Sequence, residues 1–143
     1  LTLAKVIVFR HDLHSDRVRI DERAFELGLP EGCAELSSEQ LRALVHADDH
    51  AALRSATEQA LASQQPVDAQ VRFRHADGGW RHVLTRRIAQ RDAQGRPLAL
   101  LGVGLDISER VQASQRETEL VRQFELTARA ASADAPAIAA APD

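Results

Sequence analysis

The hydrophobic positions change their spacing along the chain, and each spacing predicts a different element. Residues 6–9 form a continuous apolar run, typical of a buried strand between residues 4 and 12. Residues 17–20 alternate polar and apolar, as in a half-buried hairpin partner. Apolar residues then recur at helical spacing in residues 21–27, 37–45 and 50–61. The first half of the chain should therefore hold two strands followed by short helices.

The second half begins at residue 67, where apolar residues alternate with charged or amide ones. Strands are predicted at residues 67–74, 80–91 and 98–105, and two turns separate them. One turn contains Asp77-Gly78 and the other contains Gly95, residue types that tight turns favour. Three long strands joined by short turns predict an antiparallel meander.

A long helix is predicted after the last strand. Asp106 can cap it, with Glu109 at the third helical position, and the cap would tie the helix to the strand. Distortion of the sheet could then rotate or shift the helix. Beyond the cap, residues recur at alternating steps of four and three, the heptad spacing of a coiled coil. The stripe predicted to face a partner helix comprises Ile107, Val111, Ser114, Thr118 and Val121.

Composition restricts the function classes. The 143 residues are 44% hydrophobic and 27% charged, enough apolar material for one domain core. The net charge of −3 argues against a nucleic-acid partner, because phosphate-binding surfaces need a basic face. Cys33 is the only cysteine, which excludes an internal disulfide and favours a reducing, cytoplasmic location. No run approaches the roughly 20 apolar residues of a membrane span, so this segment should not insert into a membrane.

Four short stretches resemble motifs of the PAS fold with its C-terminal PAC segment. They are residues 46–49 (His-Ala-Asp-Asp), 73–80, 91–97 and 106–110 (Asp-Ile-Ser-Glu-Arg). The resemblance implies an α+β fold: a five-stranded antiparallel sheet with short helices on one face and a C-terminal signalling helix. It predicts a domain at residues 4–106, an exit helix at 107–130 and a flexible linker at 131–143.

In PAS domains a ligand, when present, sits between the inner sheet face and the helices. The residues expected to line such a pocket are Phe9, Phe25, His50, Leu53, Val71, Phe73, Leu84, Leu101 and Val103. The alternative, which we favour, is that these side chains simply fill the core, because sequence cannot distinguish an apolar pocket from packed core. Gly102 and Gly104 leave one face of the last strand without side chains, where close packing is the simplest expectation.

Cofactors are not expected. Haem ligated by His50 is a less favoured alternative, since a helix-borne imidazole could ligate iron as the family sometimes does. Flavin is disfavoured because Cys33 lies outside any stretch resembling the photoreactive motif. No metal site and no catalytic residue is assigned, because the chain shows no paired carboxylates, no Ser/His/Asp set and no phosphate-binding glycine loop.

The resemblance implies a cytoplasmic regulatory module that forms a homodimer and relays a signal to an output domain in the same chain. The relay is expected to run through Asp106, Ile107, Ser108, Glu109 and Arg110. One hypothesis is a small-molecule-sensing input module of a sensor histidine kinase. The alternative is a ligand-free dimerisation and relay module of a diguanylate cyclase or phosphodiesterase, and a small catalytic domain is a third, less favoured class.

Overall fold

The computed structural model describes residues 6–21, 35–75 and 77–134. Its elements are six strands, three α-helices and a short 3-10 helix at Ala47–Asp49. The strands are β1 (Val6–Asp12), β2 (Arg17–Ile20), β3 (Glu35–Ser37), β4 (Val67–Arg74), β5 (Trp80–Arg91) and β6 (Pro97–Asp106). The helices are α1 (Ser38–Ala43), α2 (His50–Ala62) and α3 (Ser108–Asp134). The short helix predicted at residues 21–27 falls largely outside the described residues.

All strands belong to one antiparallel sheet in the order β3-β2-β1-β6-β5-β4. The α+β fold is confirmed, but the expected number of five strands is wrong. The sixth strand is β3, which pairs with β2 through Val18 opposite Leu36. Three residues are too short to show a period of two, so the hydrophobic pattern could not reveal this strand.

The predicted meander of β4, β5 and β6 is confirmed, and its turns form as the sequence indicates. In the first turn the His75 N–H donates to the Gly79 carbonyl over 2.7 Å, and Gly78 adopts φ 90°. In the second, Asp92 Oδ1 accepts from two backbone N–H groups and Gly95 adopts φ 80°. A left-handed backbone at these two positions favours glycine.

The helices are fastened to the edge strand β4 by an ion pair and backbone bonds. Arg72 donates to both carboxylate oxygens of Asp49 at 2.9 Å through its guanidinium, and its backbone N–H donates to the same carboxylate at 2.8 Å. The N–H of His46 donates to the Arg72 carbonyl, and that of Arg74 to the Leu44 carbonyl, each at 2.8 Å. The stretch 46–49 is therefore a structural clamp between the helices and the sheet.

The chain divides into two compact units, Leu1–Ser108 and Glu109–Asp143. The first holds the sheet and a core of Ile7, Val18, Ile20, Leu36 and Val83. The second holds nearly all of α3, which continues to Asp134. Residues 131–134, expected to belong to a flexible linker, are therefore helical, because alanine-rich sequence is compatible with helix. None of the described helices is long and apolar enough to cross a membrane.

Candidate functional site

A small apolar cavity lies between the inner face of the sheet and the helices. Its volume is about 50 Å³. Apolar side chains from β1, β2, α1, α2 and β4 line it, together with two polar residues of β5, Thr85 and Arg87. Since about 10–15 Å³ accommodates one water molecule, the cavity has room for only a few non-hydrogen atoms.

One cross-strand row forms the floor of this region. Phe9 of β1 is opposite Gly102 of β6, which in turn is opposite Arg87 of β5. A Cβ atom at Gly102 would lie 2.1 Å from Cζ of Phe9, so the Phe9 ring occupies the place of the missing side chain. The Arg87 guanidinium carbon lies 5.9 Å from the centre of the same ring, within cation–π range. Side chains of the domain itself thus fill the space left by the glycine.

Arg87 is the most unusual polar residue of the site. It is only 4% exposed, and Nη2 donates to the Thr85 hydroxyl, which itself donates to the Ala69 carbonyl at 2.8 Å. Among the described residues, its buried Nε has no hydrogen-bond partner. Burial lowers the pKa of the guanidinium, with an opposing influence from the charge of Asp68. A buried cation with an unused donor is costly unless something compensates it.

A wider and more open cavity of about 330 Å³ adjoins the first. Phe9, Val18, Leu41, Leu53 and Arg87 line both, so these side chains form the boundary between them. The lining of the wider cavity also includes ionisable side chains. The basic ones are His11, Arg42, His50 and Arg54, and the acidic one is Glu58. Among the described residues of its lining arginines outnumber carboxylates, which favours a positive potential at this opening.

The structure brings some of the predicted lining residues together. Phe9, Leu53, Val71 and Phe73 line the small cavity. Leu84, Leu101 and Val103 do not, because they project from the opposite face of β5 and β6, and Val103 is 43% exposed. Phe25 lies outside the described residues. Whether any of these side chains contacts a ligand stays a prediction.

The predicted position of Leu84, Leu101 and Val103 on the inner face of the sheet is wrong for a physical reason. The inner face carries Thr85, Arg87, Gly102 and Gly104, whereas the outer face carries the more apolar set Leu84, Ile88, Leu101, Val103 and Leu105. A shift of one residue moves every side chain of a strand to the other face. Counting by twos from Val83, which is fully buried, would have placed Thr85 and Arg87 at the site.

His50 lines the wider cavity and not the small one. Its Nε2 lies 2.9 Å from the carbonyl oxygens of both Arg42 and Val45, so this nitrogen carries the proton and donates to them. In this arrangement the imidazole ties the first turn of α2 to the end of α1. The alternative of haem ligation by His50 stays a prediction.

Two hydrogen bonds join the junction between β6 and α3 to His82 of β5. The His82 N–H donates to Ser108 Oγ at 2.9 Å, and the Ile107 N–H donates to the His82 carbonyl at 2.8 Å. Asp106 Oδ1 accepts from the Ser108 N–H at 2.9 Å, the type of bond a capping residue makes at the start of a helix. Ile107 and Ser108 are buried. The first residue of α3 is therefore anchored in the sheet unit.

The remaining relay and dimer residues lie on or beside α3. Glu109 and Arg110 are exposed, as are Ser114, Thr118 and Val121, while Val111 is half-buried. Ile107 precedes the helix and is buried in the sheet unit, so it is already packed there and unsuited to the helix stripe. The heptad stripe predicted from the sequence omits Leu120 and Phe124, which are 71% and 75% exposed and one helical turn apart. Their spacing of four residues was the available indication.

Within the part of the chain that the structure describes, no group of three or more His, Cys, Asp or Glu side chains is placed to hold a metal ion. The ion pairs there are structural in character. Asp49 has its pKa lowered by the hydrogen bonds from Arg72, and Asp68 by those from Arg86.

Comparison with known proteins identifies the family. The PAS fold family matches residues 17–104, more than half of the chain. The chain therefore belongs to the PAS fold family, whose domains are generally sensory and not catalytic. No curated protein sequence matches it.

Solved structures of similar fold come from signalling proteins. A sensory box histidine kinase/response regulator from Burkholderia thailandensis E264 has a TM-score of 0.65 at 19% identity, covering 88% of this chain and 92% of that one. An N-terminal domain of a diguanylate cyclase with a PAS/PAC sensor from Marinobacter aquaeolei has a TM-score of 0.65 at 24% identity, covering 74% and 98%. An RNA-binding light-oxygen-voltage receptor has a TM-score of 0.64 at 27% identity, covering 94% of this chain and 37% of that one.

Proposed function

We propose that this chain is a sensory input module whose inner-face cavity is coupled, through β5, to the exit helix α3 and from there to an output domain. The observation that supports this most is the position of His82. One strand carries both the cavity residues Thr85 and Arg87 and the backbone groups that hold Ile107 and Ser108.

The path from cavity to helix is short. Val71 lines the cavity and is directly opposite Val83, which is fully buried and adjacent to His82. Because packed interiors transmit displacement, a change of occupancy beside Val71 would press on Val83. His82 would move with it, and its hydrogen bonds would carry the displacement to the start of α3.

The output domain proposed here is a histidine kinase. Two proteins of similar fold, a sensory box histidine kinase/response regulator and a diguanylate cyclase with a PAS/PAC sensor, support an output domain of this kind. A diguanylate cyclase or phosphodiesterase is the alternative output. The cytoplasmic location expected from the sequence stays a prediction.

A homodimer is part of the proposal, and PAS domains commonly dimerise. On α3 the apolar side chains Leu120, Val121, Phe124 and Leu126 are each about half exposed or more. Helices gain most of their stability by burying such side chains against a partner. A second copy of α3 in a parallel coiled coil would cover Leu120, Val121 and Phe124, which lie on one side of the helix.

A ligand-free relay module is the second candidate, and the small volume of the cavity favours it. In that case dimer contacts, and not a bound molecule, would change the junction. The test of coupling below applies to both candidates. Each of them requires a displacement of the sheet to change the hydrogen bonds between His82 and the start of α3.

Hydrogen exchange measured by NMR tests the coupling. Val71→Ile adds one methylene group at the cavity wall, and Val8→Ile adds the same group to the outer face as a matched control. We expect Val71→Ile to change the exchange rates of the Ile107 and His82 amides severalfold, with Val8→Ile leaving them as in the wild type. Unchanged rates in a folded Val71→Ile variant would refute the coupling.

A further inference from the structure

Among the described residues, Arg87 carries a buried positive charge that forms no ion pair with a carboxylate, although Glu58 lines the same wider cavity. Asp68 is the carboxylate whose charge acts on it. That side chain projects from the outer face, where it forms a 2.6 Å ion pair with Arg86. Among the described residues, the Phe9 ring and the Thr85 hydroxyl contact the Arg87 guanidinium on the inner face, and both are weaker partners than a carboxylate.

The position of Arg87 is that of a ligand anchor. It lines the small apolar cavity and also the wider electropositive one, so it stands where an apolar compartment meets an open, polar one. Binding sites commonly combine an apolar lining with a few polar groups that orient the ligand. A guanidinium has five donors, and Nε of Arg87 is unused among the described residues.

We propose that the cavity takes a small organic carboxylate, with its carboxylate group beside Arg87 and its short apolar chain in the apolar compartment. This inference rests on the proposed sensory function and names the chemical class of the ligand. A small rotation of the guanidinium would bring Nε and a terminal nitrogen to the two carboxylate oxygens. The carboxylate would also supply the missing counter-charge.

The size and charge of the compartments set the ligand class. About 50 Å³ accepts a chain of a few carbon atoms, while the wider cavity offers an entrance. Arg42 and Arg54 at that entrance would attract an anion. Phosphate lacks the apolar chain that the compartment favours.

Calorimetric titration of the 143-residue chain tests the proposal. The probes are acetate, butyrate and hexanoate, the amides of the last two acids, and inorganic phosphate. We expect butyrate or hexanoate to bind at least about tenfold more tightly than its amide and than phosphate. Equal affinity for acid and amide, tighter binding of phosphate, or no carboxylate binding at about 10 mM would each overturn the proposal.

Two matched variants locate the anchor. Arg87→Met removes the buried charge while keeping the apolar bulk, and Arg86→Met removes the neighbouring surface charge on the outer face. We expect Arg87→Met to weaken carboxylate binding at least about tenfold and Arg86→Met to leave it as in the wild type. Retained binding in Arg87→Met, or equal loss in both variants, would contradict the assignment.

A readout in the wild type does not depend on any variant. The ¹⁵Nε–H signal of Arg87 should shift on titration with the bound carboxylate, because a new acceptor approaches this donor. An unchanged Arg87 signal at saturation would overturn the assignment. The coupling and the ligand class can fail separately. Carboxylate binding that leaves the exchange rate of the Ile107 amide unchanged refutes only the coupling. A response to Val71→Ile without carboxylate binding refutes only the ligand.

Discussion

The ring of Phe9 lies across Gly102, with its Cζ 2.1 Å from the place a Cβ would occupy. The Arg86 carbonyl oxygen is 2.7 Å from the same point, so both a side chain and the backbone exclude any larger residue. This packing brings β1 and β6 together beneath the cavity and sets the position of the ring that faces Arg87.

Gly102→Ala should therefore destabilise the fold by about 2 kcal/mol or more, as overpacking of a filled interior does. Gly104→Ala should lower the free energy of unfolding by less. A Cβ atom there would lie 3.0–3.2 Å from side-chain atoms of Ile7 and Val83, which can move more easily than backbone. Chemical denaturation measures both. Combining Gly102→Ala with Phe9→Leu should recover part of the loss, and a Gly102→Ala variant as stable as the wild type would refute this packing.

The ion pair between Asp49 and Arg72 should make stability fall in acid. The hydrogen bonds from Arg72 hold the pKa of Asp49 below its usual value of 3.8. A lowered pKa in the folded state contributes stability above the unfolded value, and this contribution is lost as the pH falls through the folded pKa. Between about pH 6 and pH 3 the Tm of the wild type should drop more steeply than that of Asp49→Asn.

Asp68→Asn is the control for that experiment, since the pKa of Asp68 is also lowered but its pair with Arg86 is exposed. Near neutral pH, Asp49→Asn should lower the Tm by about a few degrees and Asp68→Asn by less. If the Tm of the wild type and that of Asp49→Asn fell in parallel as the pH decreased, the ion pair between Asp49 and Arg72 would not contribute to stability.

The exposed apolar side chains of α3 should support self-association. Phe124→Glu places a charge where the proposed helix pair would bury a ring, so its dimer dissociation constant should rise at least about tenfold. Gln115→Glu adds the same charge at another exposed position of α3 and should have little effect. Analytical ultracentrifugation checks both. A monomeric wild type at about 100 µM, or an unchanged constant in Phe124→Glu, would rule out this dimer.

Ser108→Ala should loosen the start of α3 by removing the acceptor of the His82 N–H. Because Ser108 is buried, the donor would be left without a partner, at a cost of about 1–2 kcal/mol. Hydrogen exchange of the His82 amide should become faster in Ser108→Ala. The increase should be larger than the fall in the global free energy of unfolding would produce. Exchange that follows global stability alone would show that this bond is not a local anchor.

Much of the fold was predictable because its elements are long or carry clear turn chemistry. The alternation in β4 and the Asp-Gly turn at Asp77 determined the first hairpin without help from the rest of the chain. The phase of β5 and β6 was not predictable from apolarity alone, since the inner face holds a buried arginine and two glycines. The role proposed for Arg87 rests on its burial without an ion pair among the described residues, which only the folded arrangement reveals.

The most direct test of the relay is the output activity of the full-length protein carrying changes at the junction. Asp106→Ala and Ser108→Ala each remove a bond at the start of α3, and Ser37→Ala removes the capping bond of α1 as a control of similar cost. We expect both junction variants to change the output activity, or its response to the input signal, severalfold, and Ser37→Ala to leave both as in the wild type. Output and response equal to the wild type in folded Asp106→Ala and Ser108→Ala proteins would contradict it.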